Sequence, residues 1–209
     1  DRTTAAWYLV LAVIVLSLPA VLSRYYIGEI TWVFIYGICG VSLMVLVGYT
    51  GLVSLGHAAF LGIGAYAHAY LLQHGVPWVA SVAIAVAITT ACGVIVGLPA
   101  LRMTGIYLAI ATLAFAVIIQ EVFTRWDGVT HGLKGRPVDK PVIFGISFAN
   151  EIAFYFLSLA FLIGGLWLTR NLLRSPTGRA WVAIRDSEIA AQSMGVNLAA
   201  YKTMAFSYS

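Results

Sequence analysis

One uninterrupted stretch decides the fold: Val76-Pro-Trp-Val-Ala-Ser-Val-Ala-Ile-Ala-Val-Ala-Ile-Thr-Thr-Ala-Cys-Gly-Val-Ile-Val-Gly-Leu98 contains no charged residue. A helix of roughly 20 apolar residues is long enough to cross a hydrocarbon core about 30 Å thick. The whole chain has a similar character, with 61% hydrophobic and 10% charged residues among 209. Because a water-soluble domain is about 45–50% apolar and about 25% charged, this composition indicates a protein that is surrounded by lipid.

Five further apolar runs are nearly as long as this one. Together they predict an all-α, polytopic transmembrane helix bundle of about six spans, in which the third span is broken or glycine-rich. The six runs are Ala5 to Leu22, Ile30 to Val47, Leu52 to Leu72, Val76 to Leu98, Gly105 to Phe123 and Ile152 to Leu168. The third run either spans the membrane or re-enters on the same side, and the sequence leaves both possibilities open.

Two polar segments interrupt the apolar runs. Residues 124–150 are rich in glycine and proline and predict an extracytoplasmic loop. Residues 170–204 contain four closely spaced arginines and predict a cytoplasmic segment, since cytoplasmic loops carry an excess of Lys and Arg. The last residues, Ala205 to Ser209, resemble the start of another helix, so we expect the protein to continue beyond them.

Several function classes find no support in the sequence. The formal net charge of +4 is accompanied by no nucleic-acid-binding motif, and Cys39 and Cys92 both lie in apolar runs, where small buried side chains are common. Hydrolase and metalloprotease motifs are absent. Gly51-Leu-Val-Ser-Leu-Gly56 has the glycine spacing of a phosphate-binding loop, but His57 stands where the lysine must be. We therefore expect no catalytic residues, no cofactor and no metal on this chain.

Five glycines between Gly48 and Gly64 make this the most unusual segment, because each weakens a helix by roughly 1 kcal/mol relative to alanine. In a membrane, irregular backbone survives where it lines a wet cavity, which favours a substrate pathway. Close packing of small residues is the alternative, and Gly93-x-x-x-Gly97 suggests the same. His57 and His68 share one helix face if the helix is continuous, and they serve in packing, in lining a pathway or in proton transfer.

A third segment, Ser175 to Asn197, mixes apolar and charged residues. Ser175-Pro176 predicts a helix start, a short helix is expected from about Ser187 to Met194, and Gly195 is a natural helix stop. This segment is either a solvated connection or a docking surface, since exposed apolar side chains favour contact with a partner.

Three stretches resemble the membrane permease subunit of branched-chain amino-acid ABC importers, of the M type. They are Gly51-Leu-Val-Ser-Leu-Gly-His-Ala-Ala-Phe-Leu-Gly-Ile-Gly-Ala-Tyr66, Leu101-Arg-Met-Thr-Gly-Ile-Tyr-Leu-Ala-Ile-Ala-Thr-Leu-Ala-Phe115 and Gly178-Arg-Ala-Trp-Val-Ala-Ile-Arg-Asp-Ser-Glu-Ile-Ala-Ala-Gln-Ser-Met-Gly195. The resemblance covers nearly the whole chain from Ile30 onward.

The resemblance implies both a location and a set of partners. Such permeases lie in the bacterial inner membrane and pair with a second, homologous permease subunit. They receive substrate from an extracytoplasmic binding protein, and two cytoplasmic ATPase subunits drive them. Their cytoplasmic loop carries a Glu-Ala-Ala-x-x-x-Gly helix that fits a groove on the ATPase. Here Ala190, Ala191 and Gly195 match that motif, but Ile189 replaces its glutamate and Glu188 precedes it.

The expected function is therefore inward transport of a branched-chain or related small amino acid, coupled through a cytoplasmic helix to ATPases on other chains. The residues expected to line the translocation path are Ser54, Gly56, His57, Phe60, Gly62, Gly64, Tyr66, Tyr107 and Thr112. Those expected to couple to the ATPases are Gly178, Arg179, Arg185, Asp186, Glu188, Ala190, Ala191, Met194 and Gly195. The alternatives are an ion-coupled secondary carrier that uses His57, His68 or Glu121, and a membrane scaffold without transport.

Overall fold

The computed structural model describes residues 2–100, 103, 105–138, 141–143, 146–148 and 150–209, and these residues are mostly helical. The elements are, in chain order, α1 (Arg2–Val21), α2 (Arg24–Leu43), a π-helical turn (Met44–Tyr49), α3 (His57–Gln73), α4 (Trp78–Ala100), α5 (Ile106–Arg125), α6 (Asp127–Thr130), a 3₁₀ turn (Gly132–Lys134), β1 (Val142–Ile143), β2 (Ile146–Ser147), α7 (Glu151–Arg174), α8 (Pro176–Asp186), α9 (Glu188–Ser193) and α10 (Leu198–Tyr208). The predicted all-α membrane fold is confirmed.

Four of the six predicted spans are long and apolar enough to cross a membrane among the residues described. They are Arg24–Tyr49, Trp78–Gly97, Ile106–Arg125 and Glu151–Arg174. In α1, the residues whose side chains are described give the apolar stretch Leu9–Val21. Helix α3 has 17 residues and is about 25 Å long at 1.5 Å per residue. It is short because the backbone before His57 is not helical. Of the two predicted forms of the third span, broken or glycine-rich, the structure thus shows the broken one.

The chain divides into two compact units. The first unit comprises Asp1–Gly37 and Lys140–Gly164, and the second comprises Ile38–Asp139 and Gly165–Ser209. In the first unit, Tyr155 is fully buried, and its ring lies 5.1 Å from that of Phe34. The Tyr155 hydroxyl donates to the carbonyl of Val15 at 2.8 Å. A buried tyrosine needs such a partner, and this one joins α1, α2 and α7 around a small core.

The core of the second unit brings together residues that are far apart in the sequence. Buried side chains from the π-helical turn, the segment after it, α5, α8 and α10 pack as one cluster: Val45, Leu46, Leu52, Leu108, Trp181, Ala205 and Phe206. Trp181 is fully buried, and its indole Nε1 donates to the carbonyl of Tyr201 at 2.9 Å. The segment that follows α7 is therefore built into this unit.

Helix α10 packs closely against α4 at two glycines. A Cβ atom on Gly93 would lie 2.8 Å from the carbonyl oxygen of Phe206, and one on Gly97 would lie 3.4 Å from the Cα of Thr203. Small residues at a spacing of four let two helix backbones approach each other. The packing role suggested by Gly93-x-x-x-Gly97 is thus confirmed.

Many large apolar side chains lie on the surface of the chain. Trp32, Ile118 and Ile163, on three different helices, each have more than half of their surface exposed. A water-soluble protein does not expose apolar area on this scale, whereas lipid is a good solvent for it.

The predicted extracytoplasmic loop, residues 124–150, has some structure of its own. It contains α6, the 3₁₀ turn and the β1–β2 hairpin, in which Val142 pairs with Ser147. The guanidinium of Arg136 lies 5.0 Å from the centre of the Tyr70 ring, and Gln73 donates to the carbonyl of Pro137. Residues 139, 140, 144, 145 and 149 of this loop lie outside the described residues.

Candidate functional site

The glycine-rich segment begins where a membrane helix ends. Helix α2 continues into the π-helical turn, and the backbone then leaves the helix at Gly51, whose φ is +70°. A left-handed conformation of this kind favours glycine, because a Cβ would clash with the backbone. The amide of Leu52 donates back to the carbonyl of Leu46 at 3.1 Å, which closes the turn.

Thr112 on α5 anchors the irregular backbone before α3. Its hydroxyl accepts a hydrogen bond from the amide of Leu55 at 2.9 Å and donates to the carbonyl of Ala109 at 3.0 Å. A Cβ on Gly56 would lie only 2.8 Å from the carbonyl oxygen of Thr112, so the two backbones are in direct contact. The buried Ser54 hydroxyl accepts from the Gly56 amide at 3.3 Å. Three of the predicted path residues, Ser54, Gly56 and Thr112, therefore lie together.

His57 is the first residue of α3 and extends this cluster. Both of its ring nitrogens are buried, and neither has a hydrogen-bond partner in the described part of the chain. Its ring lies 6.3 Å from that of Phe60, edge to face. The residue at the N-cap, Gly56, has no side chain to cap the helix. A buried polar side chain without a partner in the described residues calls for a functional explanation, and lining a pathway is one that the sequence offers for His57.

The next predicted path residues pack against neighbouring helices. The rings of Phe60 and Phe115 lie 5.4 Å apart, and those of Tyr66 and Phe123 lie 4.7 Å apart. Two glycines allow the same approach: a Cβ on Gly62 would overlap the Phe123 ring, and one on Gly64 would lie 3.1 Å from the Thr89 hydroxyl. Close helix packing therefore accounts for this half of the segment.

Tyr107 and His68 stand apart from the Thr112 cluster. Tyr107 is 72% exposed, whereas Leu108 and Thr112 on the same helix are buried, so Tyr107 lies on the opposite, outer face of α5. The imidazole of His68 is hydrogen-bonded to the Ser81 hydroxyl on α4, and its ring meets that of Trp78 edge to face at 5.7 Å. These contacts agree with packing, one of the roles that the sequence allows for His68.

The segment predicted to couple to the ATPases folds as α8 and α9. Ser175 caps α8 by accepting from the amide of Thr177 at 3.2 Å, and Pro176 follows it, as the sequence predicts. Gly178 is buried, and a Cβ there would overlap the backbone of Leu173. Arg179 is exposed and donates to the carbonyl of Arg174 at 3.3 Å. Helix α8 is thus fixed tightly at the end of α7.

Helix α9 matches the predicted short helix closely. Ser187 caps it by accepting from the Ala190 amide at 3.2 Å, and Gly195 ends it with a φ of +83°. Ala191 is fully buried, while Ile189 is 81% exposed and Met194, just after the helix, is also exposed. The helix therefore packs through one alanine and presents apolar side chains outward.

Charged residues of this segment also have partners within the chain. The carboxylate of Glu188 lies 2.7 Å from the ammonium of Lys202 on α10. Arg185 donates from Nη1 to the carbonyl of Gly48 at 2.9 Å and from Nε and Nη2 to Asp186 at 3.1 and 3.0 Å. Gly48 belongs to the glycine-rich run, but no pattern in the sequence predicts either contact, because each joins two different elements of the fold.

The comparison with known proteins decides the family. The family model described as the permease component of the branched-chain amino acid transport system matches residues 25–209. The chain belongs to this permease family. In the described part of this permease, no three His, Cys, Asp or Glu side chains come together as a metal site would require. The predicted bacterial inner-membrane location agrees with the family and with the four apolar helices.

Two relatives carry the same name, high-affinity branched-chain amino acid transport system permease protein LivM. The one from Salmonella typhimurium and the one from Escherichia coli are each 34% identical to this permease over 225 aligned positions, covering 95% of the chain and 53% of the relative. The chain thus spans about half the length of the curated relatives it matches. No solved structure matches it.

Proposed function

We propose that this chain forms part of the permease subunit of an ATP-binding-cassette importer that moves a branched-chain or related small amino acid into the cell. Family membership supports the transport class, and the names of the two relatives support the substrate class. The observation that carries the coupling mechanism is the anchored helix pair α8–α9. It is fixed to the membrane helices through buried residues, yet exposes Ile189 and Met194 to a partner.

The ATPases would be separate subunits, two per importer. This stretch of sequence contains no phosphate-binding loop, since His57 occupies the position of the required lysine. The partner surface would consist of the outward side of α9, namely Ile189, Ala190, Met194 and Gly195. Glu188 would not contact the ATPase directly, because Lys202 already holds its carboxylate.

A second, homologous permease subunit and an extracytoplasmic binding protein complete the proposed importer. The pathway would be enclosed between this subunit and a related one. The exposed face of α5, which includes Tyr107, is available for lipid or for such a subunit. Transport would proceed by alternating access. The segment around Ser54, Gly56 and Thr112 would shift when the ATPases close, which requires a contact whose free energy differs between the two states.

Reconstitution tests this function. The full-length protein, co-expressed with its candidate partner subunits, is purified and placed in vesicles that contain ATP, with the binding protein and labelled leucine outside. We expect uptake that needs ATP and stops when the lysine of the ATPase phosphate-binding loop is replaced. Uptake that collapses with an ionophore while ATP stays high would instead identify an ion-coupled carrier.

A further inference from the structure

Arg185 lies at the only point where, among the described residues, α8 hydrogen-bonds to the backbone that leads into the broken third span. Its Nη1 donates to the carbonyl of Gly48 at 2.9 Å. Its Cγ packs so closely on Gly51 that a Cβ there would lie 3.2 Å away. One side chain thus contacts the last part of the π-helical turn, at Gly48, and the residue at which the backbone leaves the helix, Gly51.

The chemistry of this contact favours a stable hydrogen bond between Arg185 and Gly48. The last carbonyls of a helix have no intrahelical donor and carry partial negative charge, so a guanidinium is a favourable partner. Asp186 accepts from Nε and Nη2 at 3.1 and 3.0 Å, which orients the guanidinium and leaves Nη1 for Gly48. With all three nitrogens engaged inside the chain, Arg185 faces Gly48 rather than an ATPase, although its side chain is 43% exposed.

The contact continues toward the candidate pathway. Gly51 is followed by Leu52, which packs in the same buried cluster as Trp181 of α8. Three residues later, the amide of Leu55 is held by Thr112, and Gly56 touches the Thr112 backbone. The backbone from Gly51 to Gly56, which connects the Arg185 contact to the Thr112 contact, contains no regular helix that could absorb a displacement. A movement of α8 would therefore act directly on the start of α3.

We infer that Arg185 is a positioning residue that transmits movement of the α8–α9 helix pair to the Gly51–Gly56 segment. This inference rests on the proposed function and deepens it, since it separates transmission through Arg185 from ATPase docking on α9. Replacing Arg185 should therefore leave the importer assembled and able to hydrolyse ATP, but should break the link between hydrolysis and transport.

The test compares three variants of the full-length protein in the reconstituted importer: Arg185→Met, Arg185→Lys and Arg174→Met. Arg174→Met is the matched control, because it removes an exposed arginine at the end of α7 just before α8. We measure co-purification of the ATPase subunits, ATP hydrolysis, and molecules of substrate taken up per ATP. For Arg185→Met we expect normal assembly, retained hydrolysis and a ratio lowered by about tenfold or more, the scale of allosteric coupling between two sites.

Arg185→Lys should restore much of the ratio, since an ammonium also donates to the Gly48 carbonyl, and Arg174→Met should leave it unchanged. An unchanged ratio in Arg185→Met would overturn the inference. The inference would also be overturned if both Arg185 variants failed to assemble while Arg174→Met assembled, because the role of Arg185 would then be to stabilise the fold. Wild-type vesicles decide the proposed function separately: without ATP-driven uptake there, both proposals fail.

Discussion

The ammonium of Lys202 lies 2.7 Å from the carboxylate of Glu188, and the two residues differ sharply in exposure: 2% of the Lys202 side chain is accessible, against 37% of that of Glu188. Lys202 belongs to α10, which packs on α4, and Glu188 opens α9. The ion pair therefore ties the proposed ATPase-docking helix to α10, and through α10 to the apolar helix α4 on which it packs.

This asymmetry predicts unequal effects of removing each partner. Glu188→Gln leaves a buried ammonium without its counter-charge and should destabilise the protein by about 1–3 kcal/mol. Lys202→Met removes the buried charge, keeps the apolar stem and leaves Glu188 partly in water, so its cost should be smaller. Thermal unfolding in detergent of both variants and of the double variant measures the order. A Lys202→Met protein less stable than Glu188→Gln would contradict this account.

The glycines at the α4–α10 contact predict a graded loss of stability. Gly93→Ala places a methyl group 2.8 Å from the Phe206 carbonyl oxygen, a backbone atom that cannot move alone, whereas Gly97→Ala meets Thr203 at 3.4 Å. Gly93→Ala should therefore be the more destabilising variant, by roughly 1–3 kcal/mol. Gly40→Ala on α2 is the control, since its Cβ meets nothing within 4 Å. Equal melting of all three variants would refute the close packing.

Local signals in the sequence were sufficient for the parts of the fold that depend on neighbouring residues. Ser175, Ser187 and Asn197 each cap the helix that follows, and Gly195 stops α9 with a positive φ. Caps of this kind use a side chain and an amide only two or three residues apart. The concentration of glycines in one run likewise indicated that the third span is broken or glycine-rich, but it did not decide between the two.

The contacts that join distant segments could not be read from the sequence. The hydrogen bond from Arg185 to Gly48 spans 137 residues, and nothing in either local pattern favours it. The outward position of Tyr107 depends on which face of α5 the core occupies, and an apolar helix in lipid has no hydrophobic stripe to mark that face. The family resemblance placed Glu188 near the ATPase, but its pairing with Lys202 required the fold.

A substitution at Gly195 tests the docking surface, provided that the effect of backbone strain is measured separately. The φ of +83° at Gly195 strains any other residue, yet a Cβ there meets nothing within 4 Å of this chain. Gly195→Trp should therefore insert normally but obstruct the ATPase, abolishing ATP hydrolysis linked to transport. Gly75→Trp is the matched control, because Gly75 has a φ of +79°, similarly open surroundings and a place at the end of α3. Unaltered coupling in Gly195→Trp vesicles would exclude this residue from the docking surface.

Thr112 provides the last prediction, because a single hydroxyl holds the backbone before α3. Thr112→Val keeps the shape of the side chain but leaves the Leu55 amide without its acceptor in a site that is 1% exposed, which should cost about 1–3 kcal/mol. Thr112→Ser keeps the hydroxyl and should lose less stability. If the segment lines the pathway, Thr112→Val should also lower the uptake rate beyond what reduced expression explains, and Thr112→Ser should restore it. Melting curves measure the loss of stability, and initial uptake rates, normalised to inserted protein, measure the loss of transport. If Thr112→Val and Thr112→Ser had equal melting temperatures and equal uptake rates, the Leu55–Thr112 hydrogen bond would not be what holds this segment in place.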